Sequence, residues 1–274
     1  MPKLGIIAGD GSLPGQIIDA CRQTGRDFYV LAFEGSAKTD VIGDAPAEWI
    51  RMSGLSRALS AARREGVEEL VLVGKIPRPS ILELMRDPRS ARFMAKVGTR
   101  MLGDNTILSA VIKELEENEG FRVVAPESLL SELLAKAGTY GRVLPDKDAL
   151  ADIERGMIVA RALGQLDVGQ AVIVQNGTVI GVEAVEGTDD LIERCAPFIQ
   201  RDQPGGVLVK SAKPGQERRT DLPVIGRATV EGAAGAGLRG IALEAGGGLI
   251  AERAETIALA DTAGIFIVGT KAED

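Results

Sequence analysis

From residue 4 to residue 126 the sequence alternates short apolar runs with segments of helical period. The runs are "LGIIAG" (4–9), "FYVLAFE" (28–34), "ELVLVGK" (69–75) and "RVVAP" (122–126). Between them lie "LPGQIIDACRQTG", "LSRALSAARREG" and "NTILSAVIKELEENEG". Each of these places apolar residues three and four apart and carries a glycine near its end, the spacing and stop of an amphipathic helix. Strand and helix in that rhythm predict a parallel sheet with right-handed crossovers. The turns after the strands then gather on one edge, which brings together residues 9–12, 34–36 and 74–75.

The pattern changes past the Gly, Pro and Asp signals of residues 138–148, which places a boundary near 140 and domains at 1–138 and 139–274. The second half opens with the helical "KDALADIERGMIVARALGQLD" and continues into "GQAVIVQNGTVIGVEAVEG". There Asn176-Gly177 separates two β-rich runs, the strongest short hairpin signal, because both turn positions favour φ > 0. Further strands are expected in "GGVLVKSA", "GIALEAG", "GLIAE" and "GIFIVG", and helices at 189–197, 228–237 and 254–263. The fold class is α/β in two domains: an N-terminal Rossmann-like parallel sheet with helices, and a C-terminal mixed α/β domain. Residues 80–102, rich in Leu, Met and Arg, read as helical with a break near Pro88.

Composition excludes several chemistries. There is no histidine among the 274 residues, which removes Ser-His-Asp and Cys-His catalysis and imidazole as general base or metal ligand. Hydrolysis must then rest on carboxylates, lysine or metal-activated water. A formal charge of −7 argues against a nucleic-acid partner. No apolar run reaches the roughly 18 residues that span a bilayer, and the N-terminus lacks the pattern of a signal peptide. A cytoplasmic protein is expected. Cys21 and Cys195 stand far apart and read as core thiols.

The opening turn nearly spells a dinucleotide fingerprint with Gly9, Gly11 and Gly15, and Glu34 stands where a ribose-binding acid would sit. The third glycine comes one place late, after Pro14. Ser12 reads as the N-cap, and the helix N-terminus attracts phosphate whichever ligand carries it. Lys75 follows a buried strand at the same edge and suits a phosphate. In "LGDNTIL" (102–108), Asp104 is either a helix cap or a ligand.

The densest chemistry lies in "EGTDD" (186–190) and "KSAKPGQERRTDLPVIG" (210–226). Lys210, Lys213, Arg218 and Arg219 suit a diphosphate. Glu217 and Asp221 suit a hard cation such as Mg²⁺, which binds through one or two carboxylates together with substrate phosphates.

The ordered blocks "GDGSLP", "LGDNTIL", "LDVGQAVIVQNGTVIGVEAVEGTDD" and "VLVKSAKPGQERRTDLPVIGRATVEGAAGAGL" resemble the LpxI family of UDP-2,3-diacylglucosamine pyrophosphatases over nearly the whole chain. The resemblance implies a two-domain, Mg²⁺-dependent enzyme of lipid A biosynthesis that holds its substrate between the domains. Water would attack the α-phosphorus and release UMP and 2,3-diacylglucosamine 1-phosphate. The family pattern K-x-x-K-P-x-Q-D-x-R-x-D-x-P falls on Lys210, Lys213, Pro214, Gln216, Glu217, Arg218 or Arg219, Asp221 and Pro223, with Glu217 in place of an aspartate.

On that resemblance Asp221 and Glu217 are the expected catalytic and metal-binding carboxylates, with Asp189 as a possible helper. Lys213 joins the catalytic set, and Lys210, Lys213 and Gln216 steady the leaving phosphate. Gly9, Asp10, Gly11, Ser12, Leu13 and Lys75 receive the uridine diphosphate end, and Thr188, Asp189 and Asp104 complete the substrate set. A peripheral contact with the cytoplasmic face of the inner membrane and a homodimer are further expectations. The alternatives are a dinucleotide-dependent oxidoreductase and a non-catalytic sugar-nucleotide or lipid sensor.

Overall fold

The computed structural model describes residues 1–51, 54–75, 104–213 and 222–271, and the helix expected at 80–102 lies outside them. The described chain falls into two compact units that part after Ser131.

The first unit is built on strands β1 (Leu4–Ala8), β2 (Phe28–Phe33), β3 (Ala47–Ile50), β4 (Glu69–Val73) and β5 (Arg122–Val123). They form one all-parallel sheet in the order β3-β2-β1-β4-β5. Helices α1 (Leu13–Thr24), α2 (Leu55–Arg64) and α3 (Asp104–Lys113) follow β1, β3 and the undescribed segment, and α3 runs on into a π-helical turn at Glu114–Asn118. Both sheet faces are covered, so the strands read as continuous apolar runs. Ile7, Leu31, Phe33 and Leu70 pack with Ala58, Leu59 and Ala62 of α2 and with Ile112 of α3. On the opposite face Ile6, Val30 and Val71 are fully buried, as are Ile17 and Ile18 of α1. Each such Leu or Ile contributes about 1.5–3 kcal/mol of burial.

β3, "AEWI", was not expected from its sequence, and "RVVAP" pairs over two residues only. The first is a half-buried edge strand set by its register on β2 (Val30↔Ala47), and the second is cut short where Pro126 opens a one-turn helix.

The second unit has a six-stranded sheet in the order β6-β13-β11-β9-β7-β8. Its strands are β6 (Gly138–Tyr140), β7 (Ala171–Gln175), β8 (Thr178–Val182), β9 (Val207–Lys210), β11 (Gly240–Glu244) and β13 (Phe266–Thr270). β9, β11 and β13 are parallel, and β6 and β7 flank them antiparallel. Two short strands, β10 (Val224–Ile225) and β12 (Leu249–Ile250), pair separately. Helix α4 (Lys147–Gln165) covers one face through Ala149, Ile153 and Met157 against Val172, Val209 and Ala242. Helices α5 (Thr188–Cys195), α6 (Arg227–Ala236) and α7 (Arg253–Ala263) supply the other core, with Leu191, Ile192, Val230 and Ala260 against Ile173, Leu208 and Ile241.

The expected hairpin is present: Asn176 (φ 50°) and Gly177 (φ 72°) turn β7 into β8. The buried carboxylate of Asp152 fixes it by accepting the Asn176 and Gly177 amides at 3.1 and 2.7 Å. Both cysteines are buried and unbridged, as expected. Among the described residues no helix is long and apolar enough to cross a membrane.

Candidate active site

Ligands of parallel α/β sheets sit beyond the carboxyl ends of the strands, where successive turns converge. In the first unit that edge joins the turn after β1 to the end of β4. The Gly9 amide donates to the Val73 carbonyl at 2.8 Å, and Asp10 and Lys75 exchange backbone bonds at 2.8 and 2.9 Å. This close approach requires Gly74, which has φ 87° and would place a Cβ 2.5 Å from the Asp10 carbonyl oxygen.

The Gly11 amide donates to Asp10 Oδ1 at 2.8 Å. Three successive amides of the glycine turn are therefore already engaged, while the amides of Ser12 and Leu13 are without partners among the described residues. Ser12 stands at the N-cap position, but its side chain does not cap, contrary to expectation. With φ −89° and ψ −16° the residue is helical, so its hydroxyl faces away from the amides it would have to reach, and it accepts from Gln16 Nε2 at 3.3 Å. Pro14 is accommodated in the first turn.

Asp10 is half exposed and lies 3.3 Å from Lys38 Nζ. That cation offsets a carboxylate which would otherwise repel phosphate at this turn. Lys75 is exposed beside it. Glu34, the acid a dinucleotide would need, is paired with Arg51 Nε at 2.8 Å. Asp104 begins α3 as expected, and its side chain lies outside the described residues.

In the second unit the corresponding edge is lined by buried polar side chains. Lys210, the last residue of β9, is 4% exposed, and its ammonium donates to the Val224 carbonyl at 3.0 Å. Lys213 Nζ lies 2.8 Å from Asp167 Oδ1, and Asp167 occupies a left-handed turn position (φ 53°). Thr188 begins α5 and donates its hydroxyl to Glu183 Oε1 at 2.7 Å, while Glu183 Oε2 accepts the Gln170 amide at 2.9 Å. Asp189 is exposed on the first turn of α5. Farther along the same element Arg194 donates to Glu186 at 2.7 Å, and that hydrogen bond holds the Glu186 carboxyl below its ordinary value.

The 210–213 segment and the start of α5 are thus brought to one sheet edge. Asp167, Glu183, Ser211 and Glu244 were not anticipated. The signal for two of them was present, since Glu183 and Glu244 are single acids at or just past the end of apolar runs. Gln216, Glu217 and Asp221 lie outside the described residues.

Among the described residues no three His, Cys, Asp or Glu side chains converge on a metal position. The donors at this edge are carboxylates, hydroxyls and carbonyls, which is hard oxygen chemistry of the kind Mg²⁺ accepts, and no thiolate competes.

Comparison with known proteins gives a consistent result. A family model described as the LpxI N-terminal domain matches residues 3–133, and one described as the LpxI C-terminal domain matches residues 136–268. The UDP-2,3-diacylglucosamine pyrophosphatase LpxI of Caulobacter vibrioides is 36% identical over 280 residues, covering 100% of this chain and 99% of that protein. Among solved structures, glycinamide-RNase-transformylase T from Mycobacterium tuberculosis covers 67% of this chain and 44% of its own at 12% identity and a TM-score of 0.24. A biotin carboxylase domain of a thermophilic 2-oxoglutarate carboxylase covers 74% and 41% at 14% identity and a TM-score of 0.24. Neither of these two structures supports an argument about this chain.

Proposed function

Since this chain belongs to the LpxI family, we propose that it hydrolyses the diphosphate of UDP-2,3-diacylglucosamine to UMP and 2,3-diacylglucosamine 1-phosphate, with water attacking the α-phosphorus. The observation that carries this reading is the full-length 36% identity to the Caulobacter enzyme of that name, together with family matches over both halves. The strand order β3-β2-β1-β4-β5 supports reading the first unit as Rossmann-like.

Phosphoryl transfer asks the protein chiefly to position groups and neutralise charge, so the absence of histidine costs this chain little. In this reading the Ser12 and Leu13 amides at the positive end of α1, with Lys75, take the uridine diphosphate end. Lys210, Lys213 and Gln216 hold the leaving phosphate. Asp221, with Glu217, is the proposed holder of Mg²⁺, which when bound neutralises phosphate oxygens and lowers the cost of deprotonating the attacking water. Thr188 and Asp189 contact the sugar. The substrate is a lipid, so the enzyme works peripherally at the cytoplasmic face of the inner membrane, as a homodimer.

The direct test is UMP release by the purified chain from UDP-2,3-diacylglucosamine, with Mg²⁺ or with EDTA, beside unacylated UDP-N-acetylglucosamine. Metal-dependent release from the diacylated compound alone is expected, and Asp221→Ala should lose turnover while still binding substrate. Release that persists in EDTA removes the metal from the proposal, and silence under every condition removes the activity.

A further inference from the structure

The second unit buries more charge at its ligand edge than packing requires. Burying a carboxylate is costly unless it is fully partnered, and the other buried acids each have such partners. Glu69 lies against Arg26 and Arg122, Asp152 accepts two turn amides and faces Arg239, and Glu183 holds the Gln170 amide and the Thr188 hydroxyl. Glu244 is different. It is 8% exposed, and its side-chain partner among the described residues is the hydroxyl of Ser211, itself 1% exposed.

The register explains the contact. β9 and β11 run parallel with Lys210 opposite Leu243, so Ser211, the first residue past β9, stands opposite Glu244, the last residue of β11. The Ser211 amide donates to the Gln170 carbonyl at 3.0 Å, which ties the same residue to the other neighbour, β7. Glu244 is held in turn by a glycine turn. Its carbonyl accepts the Gly247 amide at 3.0 Å, and a Cβ at Gly247 would lie 3.1 Å from Glu244 Cδ, so the turn backbone rests on the carboxyl group.

We propose that Glu244 is a positioning residue of this enzyme: through the Ser211 hydroxyl it fixes the segment that carries Lys210 and Lys213 in the geometry that receives phosphate. The proposal rests on the activity stated above. A second-layer hydrogen bond of this kind holds a working side chain within tenths of an ångström, and its loss lowers turnover without removing a group that touches substrate.

The test compares the full chain with Glu244→Ala, Ser211→Ala, the double variant and Glu244→Gln. The readouts are kcat and KM for UMP release, and hydrogen exchange at the Ser211 amide. Glu244→Ala and Ser211→Ala should each lower kcat about 10–100-fold with KM changed less than about threefold, and the double variant should be no slower than either. Glu244→Gln keeps an acceptor oxygen and should return to within about fivefold of the parent. Exchange at Ser211 should rise in both alanine variants and stay low in Glu244→Gln.

Parent-like kcat in folded Glu244→Ala overturns the proposal, and so does a Glu244→Gln as slow as Glu244→Ala, which would mean that the charge itself acts. If the alanine variants do not fold, Gly247→Ala, which leaves both partners in place and presses on the carboxyl, must slow turnover and raise Ser211 exchange, and parent-like values there overturn the proposal. A parent chain that releases no UMP, with Ser211 exchange still raised in the alanine variants, sinks the activity and leaves the positioning of the segment standing.

Discussion

The two units differ in the charge they bury at the carboxyl edges of their sheets. In the first unit the buried carboxylate is Glu69, at the amino end of β4, where Arg26 and Arg122 neutralise it. Its carboxyl edge offers helix amides, the half-exposed Asp10 and the exposed Lys38 and Lys75. In the second unit the carboxyl edge itself carries buried Lys210, Ser211, Glu183 and Glu244. Amides and solvated cations suit a group that docks and departs, whereas buried side chains with fixed partners suit charge that must already be aligned when the reaction occurs. On the function proposed above, we take the first edge to serve chiefly binding and the second chiefly chemistry.

Side-chain changes should therefore break the second edge, and backbone changes the first. The largest expected effect is from Lys210→Met, which keeps the aliphatic stem and deletes the ammonium. Turnover should fall about 1000-fold, the scale of losing a fixed charge-stabilising donor, while the orphaned Val224 carbonyl costs about 1–3 kcal/mol in denaturant unfolding. Turnover near that of the parent would move the chemistry away from this edge.

Next is Gly74→Ala. With φ 87° and 2.5 Å to the Asp10 carbonyl oxygen, the new methyl forces β4 from the β1 turn. A stability loss of about 3 kcal/mol is expected, with weaker UDP binding in titration calorimetry. Lys75→Ala is milder. Its side chain is exposed, so stability should shift by less than about 0.5 kcal/mol while KM rises about tenfold at constant kcat, the signature of lost ground-state binding. A fall in kcat of the same size would erase the division between the two edges.

The contrast itself could not be read from the sequence, although most of the fold could. Apolar runs and helical spacing are local, and they located β1, β2, β4, β9, β11 and β13, with the helices of the second half ending within two residues of expectation. The Asn176-Gly177 turn is likewise local, because its φ values are a property of two residues. β3 and β6 were not legible, since "AEWI" and "GTY" become strands only by pairing with β2 and β13. The acids show the same limit. Glu34, Glu69, Glu183 and Glu244 all stand at the ends of apolar runs, yet Glu34 is exposed against Arg51 and Glu244 is buried against Ser211. What separates them is the neighbouring strand, which sequence spacing does not contain.

The smallest effect concerns a feature that the units share. Each buries one thiol, Cys21 in α1 and Cys195 at the end of α5. Burial raises the pKa of both, with Arg26 and Arg194 opposing the shift. The neutral thiol is thus favoured in the folded chain. As pH rises through about 8.5 the unfolded chain loses these protons first and binds fewer than the native one, so the thiols' contribution to stability is complete below that value and declines above it. Urea midpoints should accordingly fall slightly between pH 8 and 9.5, and each of Cys21→Ala and Cys195→Ala should flatten part of that slope. Alkylation at pH 8 should be slow at both positions in the native protein and fast in urea. If one thiol reacts rapidly in the native state, the unit that carries it opens locally far more often than its partner, and the comparison between the two edges becomes one of mobility as well as charge.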